Sequence, residues 1–283
     1  MNKIFLAVTS LFLLTSCLKD YGPKDYTKEN EQEILTYLSE NNLSVTKNEY
    51  GVYYVIDEEG TGEKPINTDI VKANFTASLT NGDVFIETGD KGIHLNLQKV
   101  IPGLKYGIPE FKIGGSGKII IPSRLGYGSY DVNEIPAGSV LVFDIQILDV
   151  YENIDVANDA EIQDYLVENE LTESAIKTKS GLYYIIEEEG TGENPEPTDY
   201  VTVAYKGYFT NGNVFDESTV SGATFNLKGT IDGWIEGIPF FKEGGAGKLL
   251  IPSKLGYGYS GKGSIPGGAV LVFDIELKSI IND

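Results

Sequence analysis

Segments of this chain recur at a constant spacing, and this repeat constrains the fold more than any other feature. Gly51–Ile56 (GVYYVI) matches Gly181–Ile186 (GLYYII), and Ile121–Ser123 matches Ile251–Ser253. Positions 51 and 181, and positions 121 and 251, are each 130 residues apart. Solenoid repeats have far shorter units, so a period of this length indicates a duplicated domain. We therefore expect two domains of similar fold within the 283 residues.

Each copy begins with a helical pattern. Tyr37–Leu43 and Tyr165–Leu171 share the sequence Tyr-Leu-x-Glu-Asn-x-Leu, within apolar residues at helical spacing. This predicts short amphipathic helices over residues 31–43 and 161–171, one at the head of each domain. The acidic stretch 151–160 is predicted to be the polar link between the two copies.

Strand patterns dominate the rest of each copy. In the second copy, Val201–Tyr205 alternates with period two, Asn211-Gly212 marks a hairpin turn, and Ala269–Ser279 places apolar residues on one face. Only 234–242 offers a helix. An antiparallel sheet needs one face covered, and this short helix is the available cover. The predicted fold class is therefore α+β, with a curled antiparallel sheet around one short helix in each domain.

The only tryptophan of the chain, Trp234, lies between Gly233 and Gly237. A buried indole flanked by glycines indicates an apolar floor whose backbone is approached closely, either by neighbouring strands or by a ligand. Taken alone, a tryptophan more often simply fills a core. The choice depends on the residues around it.

Composition excludes several classes of function. The net charge of −20, from 22 basic and 42 acidic residues, argues against a nucleic-acid partner and indicates a solvated acidic surface. One cysteine and one histidine exclude Cys/His metal sites, and the second domain has no histidine to activate a serine. The histidine, His94, is predicted to face outward from a strand. Any catalysis here would need no metal, cofactor or covalent intermediate.

The amino terminus resembles a bacterial lipoprotein signal. Lys3 precedes the apolar run Ile4–Leu14, and Leu14–Cys17 (LTSC) follows directly. The resemblance implies that residues 1–16 are a signal peptide and that Cys17 is acylated, so that two or more acyl chains hold the protein on a membrane outside the cytoplasm. The outer membrane of the bacterial envelope is the expected site. The alternative is a cleavable signal with a chance cysteine. In the lipid-anchored protein, residues 17–30 would form a polar tether. The two domains would follow at 31–151 and 158–283.

Several blocks of the second domain, in a fixed order, resemble one known family. They are Val203–Gly207 (VAYKG), Asn211–Ser218 (NGNVFDES), Ile231–Gly237 (IDGWIEG), Leu255–Gly258 (LGYG) and Leu271–Leu277 (LVFDIEL). Over Gly181–Ile280 the chain is similar to the FKBP-type peptidyl-prolyl cis-trans isomerases. The resemblance implies a protein with two tandem FKBP-like domains that isomerises X-Pro bonds of exported, unfolded or extended polypeptides through its second domain.

The resemblance also implies a proline pocket in the second domain, with Trp234 as its floor and the Tyr257 hydroxyl as donor to a substrate carbonyl. The implied catalytic residues are Tyr205, Asp216, Trp234 and Tyr257. The implied substrate-binding residues are Phe215, Thr230, Ile231, Ile265 and Phe273.

The first domain shares the sequence pattern of the second but lacks several of the polar side chains of the implied pocket. Phe75 replaces Tyr205, Ile86 replaces Asp216, and Leu104 replaces Trp234. Its degenerate pocket would consist of Phe75, Phe85, Ile101, Leu104, Tyr127 and Phe143. We expect this domain to be weakly active or inactive, and to serve polypeptide binding or spacing. A different hypothesis is a non-catalytic, polypeptide-binding lipoprotein that uses both pockets.

Overall fold

The computed structural model describes residues 24–281, so the predicted signal peptide, Cys17 and most of the predicted tether lie outside the described residues. Within this range the chain forms two antiparallel sheets of seven strands each, accompanied by four α-helices. The predicted α+β class and the duplication are both confirmed. None of the helices between residues 24 and 281 has the length and apolarity of a membrane-spanning segment.

The two sheets have the same topology. The first consists of β1 (Thr46–Lys47), β2 (Tyr53–Glu58), β3 (Ile70–Leu79), β4 (Val84–Glu87), β5 (Ile93–Asn96), β6 (Ser116–Ile121) and β7 (Leu141–Tyr151). The second consists of β8 (Ile176–Lys177), β9 (Tyr183–Glu188), β10 (Tyr200–Tyr208), β11 (Val214–Glu217), β12 (Ala223–Asn226), β13 (Ala246–Ile251) and β14 (Leu271–Ile281). The first sheet runs β1-β2-β6-β7-β3-β4, and β5 also pairs with β3; the second sheet repeats this order.

The helices divide into two long and two short ones. They are α1 (Thr27–Glu40), α2 (Pro102–Gly107), α3 (Ile154–Glu168) and α4 (Asp232–Gly237). The helix predicted over 234–242 is shorter than expected, because α4 ends at Gly237 and Ile238–Phe240 continues as a tighter 3-10 turn. Pro239 fits the start of that turn, where its missing N–H costs no hydrogen bond.

The predicted bounds of the two long helices were wrong at their amino-terminal ends. α1 begins at Thr27, inside the predicted tether, and α3 begins at Ile154, so most of the predicted link 151–160 is helical. The Asn153 side chain caps α3 by accepting from the Val156 N–H at 3.0 Å. Ile154 and Ala157 are buried in one cluster with Ile70 and Tyr151 of the first domain. Acidic neighbours conceal this apolar contact in the sequence.

Both faces of each sheet are covered at its centre, whereas we expected only one covered face. Ile119 and Ile121 point into the core beneath α2, while Ile120 between them packs against Ile34 and Leu38 of α1. Successive residues of a strand point to opposite faces, so this explains the unbroken apolar run in β6. The second domain repeats the arrangement with α4 on one face and α3 on the other.

The two glycines beside Trp234 allow α4 to lie directly on β13. A Cβ atom on Gly233 would be 2.5 Å from Ile251 Cγ2, and one on Gly237 would be 2.6 Å from Leu249 Cδ2. Both distances are far inside van der Waals contact. The neighbours that approach the backbone of these glycines are therefore side chains of β13. Their contact sets the distance between Trp234 and the sheet.

His94 differs from its prediction. Its side chain does point away from the core of the first sheet, but it is only 11% exposed because α3 covers it. His94 Nδ1 lies 3.1 Å from Glu161 Oε2, and its ring meets that of Tyr151 at 5.5 Å. An alternating strand pattern shows which face a residue occupies, but a helix from the next domain can cover that face.

Candidate active site

Trp234 lies at the centre of an aromatic cluster in the second domain. Its indole is 4% exposed. The rings of Tyr205 on β10, Phe225 on β12 and Phe273 on β14 lie 5.2, 5.3 and 5.3 Å from it, at interplanar angles of 86°, 81° and 78°. Edge-to-face contacts of this kind stabilise aromatic pairs beyond their buried area. Three separate strands thus hold the indole in one orientation.

The indole nitrogen is a further feature of this cluster. Trp234 Nε1 is buried and has no hydrogen-bond partner among the described residues. A buried indole N–H normally finds an acceptor. The polar edge of Trp234 is thus unsatisfied within the part of the chain that the structure describes.

Phe215 extends the cluster from β11. Its ring lies 5.5 Å from that of Phe273. This approach depends on Gly207 of β10, where a Cβ atom would lie 2.7 Å from Phe215 Cε2 and 2.8 Å from Phe273 Cε1. In the first domain the equivalent position carries Ala77, and the equivalent rings of Phe85 and Phe143 are 6.4 Å apart.

A polar pair lies beside this apolar cluster. The Tyr205 hydroxyl donates to Asp216 Oδ2 at 2.8 Å. Burial, together with this carboxylate, raises the pKa of Tyr205 to about 12. The hydroxyl therefore remains a protonated donor at neutral pH and holds the exposed Asp216 side chain at the edge of the cluster.

Tyr257 and Ile265 lie on the long loop between β13 and β14, and both pack half-buried against the cluster. The loop is folded on itself by two hydrogen bonds between the main chains of Lys262 and Ile265, at 2.9 and 3.0 Å. These contacts place Tyr257, the predicted hydroxyl donor, and Ile265, a predicted substrate-binding residue, beside the same cluster.

Thr230 and Ile231 are half-buried and form the entry to α4. The Thr230 N–H and hydroxyl both donate to the Leu227 carbonyl, at 3.0 and 2.7 Å. The Ile231 carbonyl accepts from the first turn of α4. As a predicted substrate-binding residue, Thr230 can therefore offer a substrate its main-chain carbonyl but not its N–H. The structure brings all nine predicted residues of the second domain into this one region.

The six predicted pocket residues of the first domain also come together, but the Tyr127 hydroxyl is the only polar side-chain group among them. Leu104 is 5% exposed and takes the place of Trp234, and Phe75 lies 5.5 Å from Phe143. Ile101, Tyr127 and Phe85 pack partly buried around them. Ile86, at the position of Asp216, is 40% exposed. The first pocket therefore has no equivalent of the polar pair.

Two aromatic residues of the site were missing from the predicted set. Phe225 contacts both Trp234 and Tyr205, and Phe209 lies 5.1 Å from Phe215. Alternation along β12, which places Ala223 and Phe225 on one face, could have identified Phe225. Phe209 immediately precedes the hairpin turn and carries no comparable signal.

This fold and this aromatic cluster define the class of protein. The chain belongs to the family of FKBP-type peptidyl-prolyl cis-trans isomerases, whose family model matches residues 61–148 and 191–278, more than half of the chain. Each match lies within one of the two described units, so the tandem arrangement predicted from the repeat is confirmed.

Among curated proteins, the chain is similar to the isomerase FkpA. It is 46% identical over 127 residues to FkpA of Aeromonas hydrophila, covering 44% of this chain and 47% of that protein. It is 45% identical over 111 residues to FkpA of Escherichia coli strain K12, covering 38% and 41%. A crystal structure of FkpA from Escherichia coli matches with a TM-score of 0.41 and 38% identity, covering 44% of this chain and 60% of that one. The chain thus spans less than half the length of these curated relatives.

Proposed function

We propose that this protein is a peptidyl-prolyl cis-trans isomerase that acts on X-Pro bonds of exported polypeptides through the pocket of its second domain. The observation that carries the proposal is the Trp234 cluster together with the Tyr205–Asp216 pair, a combination that the first domain lacks. Family membership and the similarity to the FkpA isomerases support the same reaction.

The reaction needs only differential binding. An X-Pro bond rotates over a barrier of about 18–20 kcal/mol that arises from amide resonance, and unaided isomerisation takes tens to hundreds of seconds. The planar amide is more dipolar than the twisted transition state, so a dry aromatic cavity favours the twisted form. Binding that is tighter in the transition state is catalysis, and each ~1.4 kcal/mol of difference gives a factor of ten.

Each group of the site then has a role. Trp234, Phe215 and Phe273 hold the proline ring, and Tyr257 donates its hydroxyl to a substrate carbonyl. Asp216, held by Tyr205, provides the polar side of the entrance. No proton is transferred in this scheme.

The first domain is proposed to hold extended polypeptide rather than to catalyse. Leu104 still gives an apolar floor, and the exposed Ile86 extends the apolar surface to the rim. Holding a client beside the second domain would raise the local concentration of its prolines. In the rival proposal, both pockets only bind polypeptides.

A protease-coupled assay on the full chain tests the enzymatic proposal. A peptide with an X-Pro bond followed by a chromogenic leaving group is cleaved only in its trans form, so the slow phase reports isomerisation. We expect the chain to accelerate this phase in proportion to its concentration. A slow phase that is unchanged by micromolar protein would favour the binding-only alternative.

We further propose that the protein is a lipoprotein attached through Cys17 to a membrane of the bacterial envelope, with the outer membrane as the expected site. The support is the order of Lys3, the apolar run and LTSC in the sequence. On expression in a bacterium supplied with radiolabelled palmitate, the full chain should be labelled and should sediment with membranes. Cys17→Ser should lose both properties. An unlabelled wild-type chain would contradict the proposal.

A further inference from the structure

A closed ring of four hydrogen bonds surrounds the base of the loop that carries Tyr257. Asn158 Nδ2 donates to the Gly268 carbonyl at 2.9 Å, and the Gly268 N–H donates to the Gly258 carbonyl at 2.9 Å. The Gly258 N–H donates to the Ser253 carbonyl at 2.7 Å, and the Ser253 N–H returns to Asn158 Oδ1 at 2.8 Å. One side chain thus ties both ends of the loop together.

Asn158 lies on α3, outside the segment 191–278 that matches the family model. It is 0% exposed. A buried amide is costly unless both its oxygen and its nitrogen are hydrogen-bonded, and here each has a main-chain partner. The helix that heads the second domain therefore reaches the loop over the pocket as well as the back of the sheet.

The ring lies beside the two residues that this loop contributes to the predicted site, Tyr257 and Ile265. Tyr257 immediately precedes Gly258, and Ile265 lies three residues before Gly268. Gly258 and Gly268 have φ angles of 62° and 84°, in the left-handed region that favours glycine. The part of the loop that faces the pocket is thus fixed by the ring and not by strand pairing to the sheet.

The first domain contains the same ring. Its members are Asn30, Gly138, Gly128 and Ser123, each donating to the next, with successive distances of 2.7, 2.9, 2.8 and 2.8 Å. Asn30 is 2% exposed. Asn30 and Asn158 are 128 residues apart, although the strands repeat at 130, so two additional residues lie between helix and sheet in the second domain. The ring is preserved despite this shift.

We infer that Asn158 is a positioning residue of the second pocket, which holds Tyr257 and Ile265 in place against the Trp234 cluster. The inference rests on the proposed isomerase function. Without the amide, the Ser253 N–H and the Gly268 carbonyl lose their partners, and only the two main-chain hydrogen bonds through Gly258 still join the loop ends. A displacement of the Tyr257 hydroxyl by about 1 Å is enough to lower a rate substantially.

The test compares Asn158→Ala with Asn30→Ala in the full chain. Each variant removes the same ring, but only the first lies in the domain proposed to be active. We expect Asn158→Ala to lower kcat/KM about tenfold. A change of this size corresponds to raising the activation barrier by about the net free energy of one hydrogen bond. Asn30→Ala should leave the rate for a short peptide unchanged. A folded Asn158→Ala with the wild-type rate would overturn the inference.

Two measurements separate positioning from general destabilisation. Fluorescence of Trp234, the only tryptophan, reports the folded fraction of the second domain, and rates are divided by that fraction. Hydrogen exchange should show lost protection at Ser253, whose N–H loses its acceptor, and at Gly258 and Gly268 as the loop loosens, with β13 and β14 still protected. Uniform loss of protection throughout the domain would contradict a local role.

If Asn158→Ala does not fold, Asn158→Asp replaces it, because an aspartate keeps the acceptor for Ser253 but sets a second carboxyl oxygen, instead of a donor, against the Gly268 carbonyl. A folded Asn158→Asp with the wild-type rate and exchange pattern would also overturn the inference. A wild-type chain without isomerase activity would instead overturn the proposed function. Hydrogen exchange would then decide by itself whether Asn158 fixes the loop.

Discussion

Replacing Trp234 with alanine should lower kcat/KM for an X-Pro peptide about 100-fold, which corresponds to about 2.7 kcal/mol of transition-state binding. The indole is the surface on which the proline ring would rest. The rings of Tyr205, Phe225 and Phe273 all make edge-to-face contacts with it. Its removal leaves a cavity that admits water, and it frees three rings from their packing. The protease-coupled assay measures the effect.

The duplicated domain supplies the control. Leu104→Ala removes the floor of the first pocket and should leave the rate unchanged, because that pocket lacks the polar pair. Trp234→Leu offers a gentler variant, since the fold already accepts leucine at this position in the first domain. Equal rates for wild type and Trp234→Ala would refute the mechanism. A loss in Leu104→Ala as large as in Trp234→Ala would place the activity in the first domain.

Tyr205→Phe and Asp216→Ala should each reduce kcat/KM about tenfold, and the double variant should be no slower than either single variant. The two side chains share one hydrogen bond of 2.8 Å, so losing either partner removes the same interaction. Residues that act as a pair give strongly non-additive effects in a double-mutant cycle.

The cycle also distinguishes the possible roles of Asp216. If the two tenfold reductions in kcat/KM instead multiply, so that the double variant is about 100-fold slower, the carboxylate and the hydroxyl act on substrate separately. Single variants with the wild-type rate would reduce the pair to a structural contact. Urea unfolding followed by Trp234 fluorescence serves as the stability control, because Phe at position 205 keeps the ring against the indole.

Much of this structure could be predicted from local sequence patterns. The 130-residue spacing indicated two copies, period-two alternation and Asn-Gly turns indicated antiparallel strands, and the fixed order of short blocks indicated the family. These signals depend on neighbouring residues, whose backbone preferences and side-chain directions are set within a few positions. The grouping of the predicted pocket residues followed from the family fold.

The tertiary structure decided what depends on distant contacts. The first turn of α3 is apolar and buried because Ile154 packs in one cluster with Tyr151, a contact that only the structure shows. The structure also shows that the same helix covers His94. The Asn158 ring joins residues 95 and 110 positions apart. A single polar residue among acidic neighbours has no periodicity to mark it as buried. The sequence by itself therefore determined the duplicated sheets and most of the residues that gather around Trp234. Only the packing of helices from outside each sheet determined how its loop is held, because those contacts join segments that no local pattern connects.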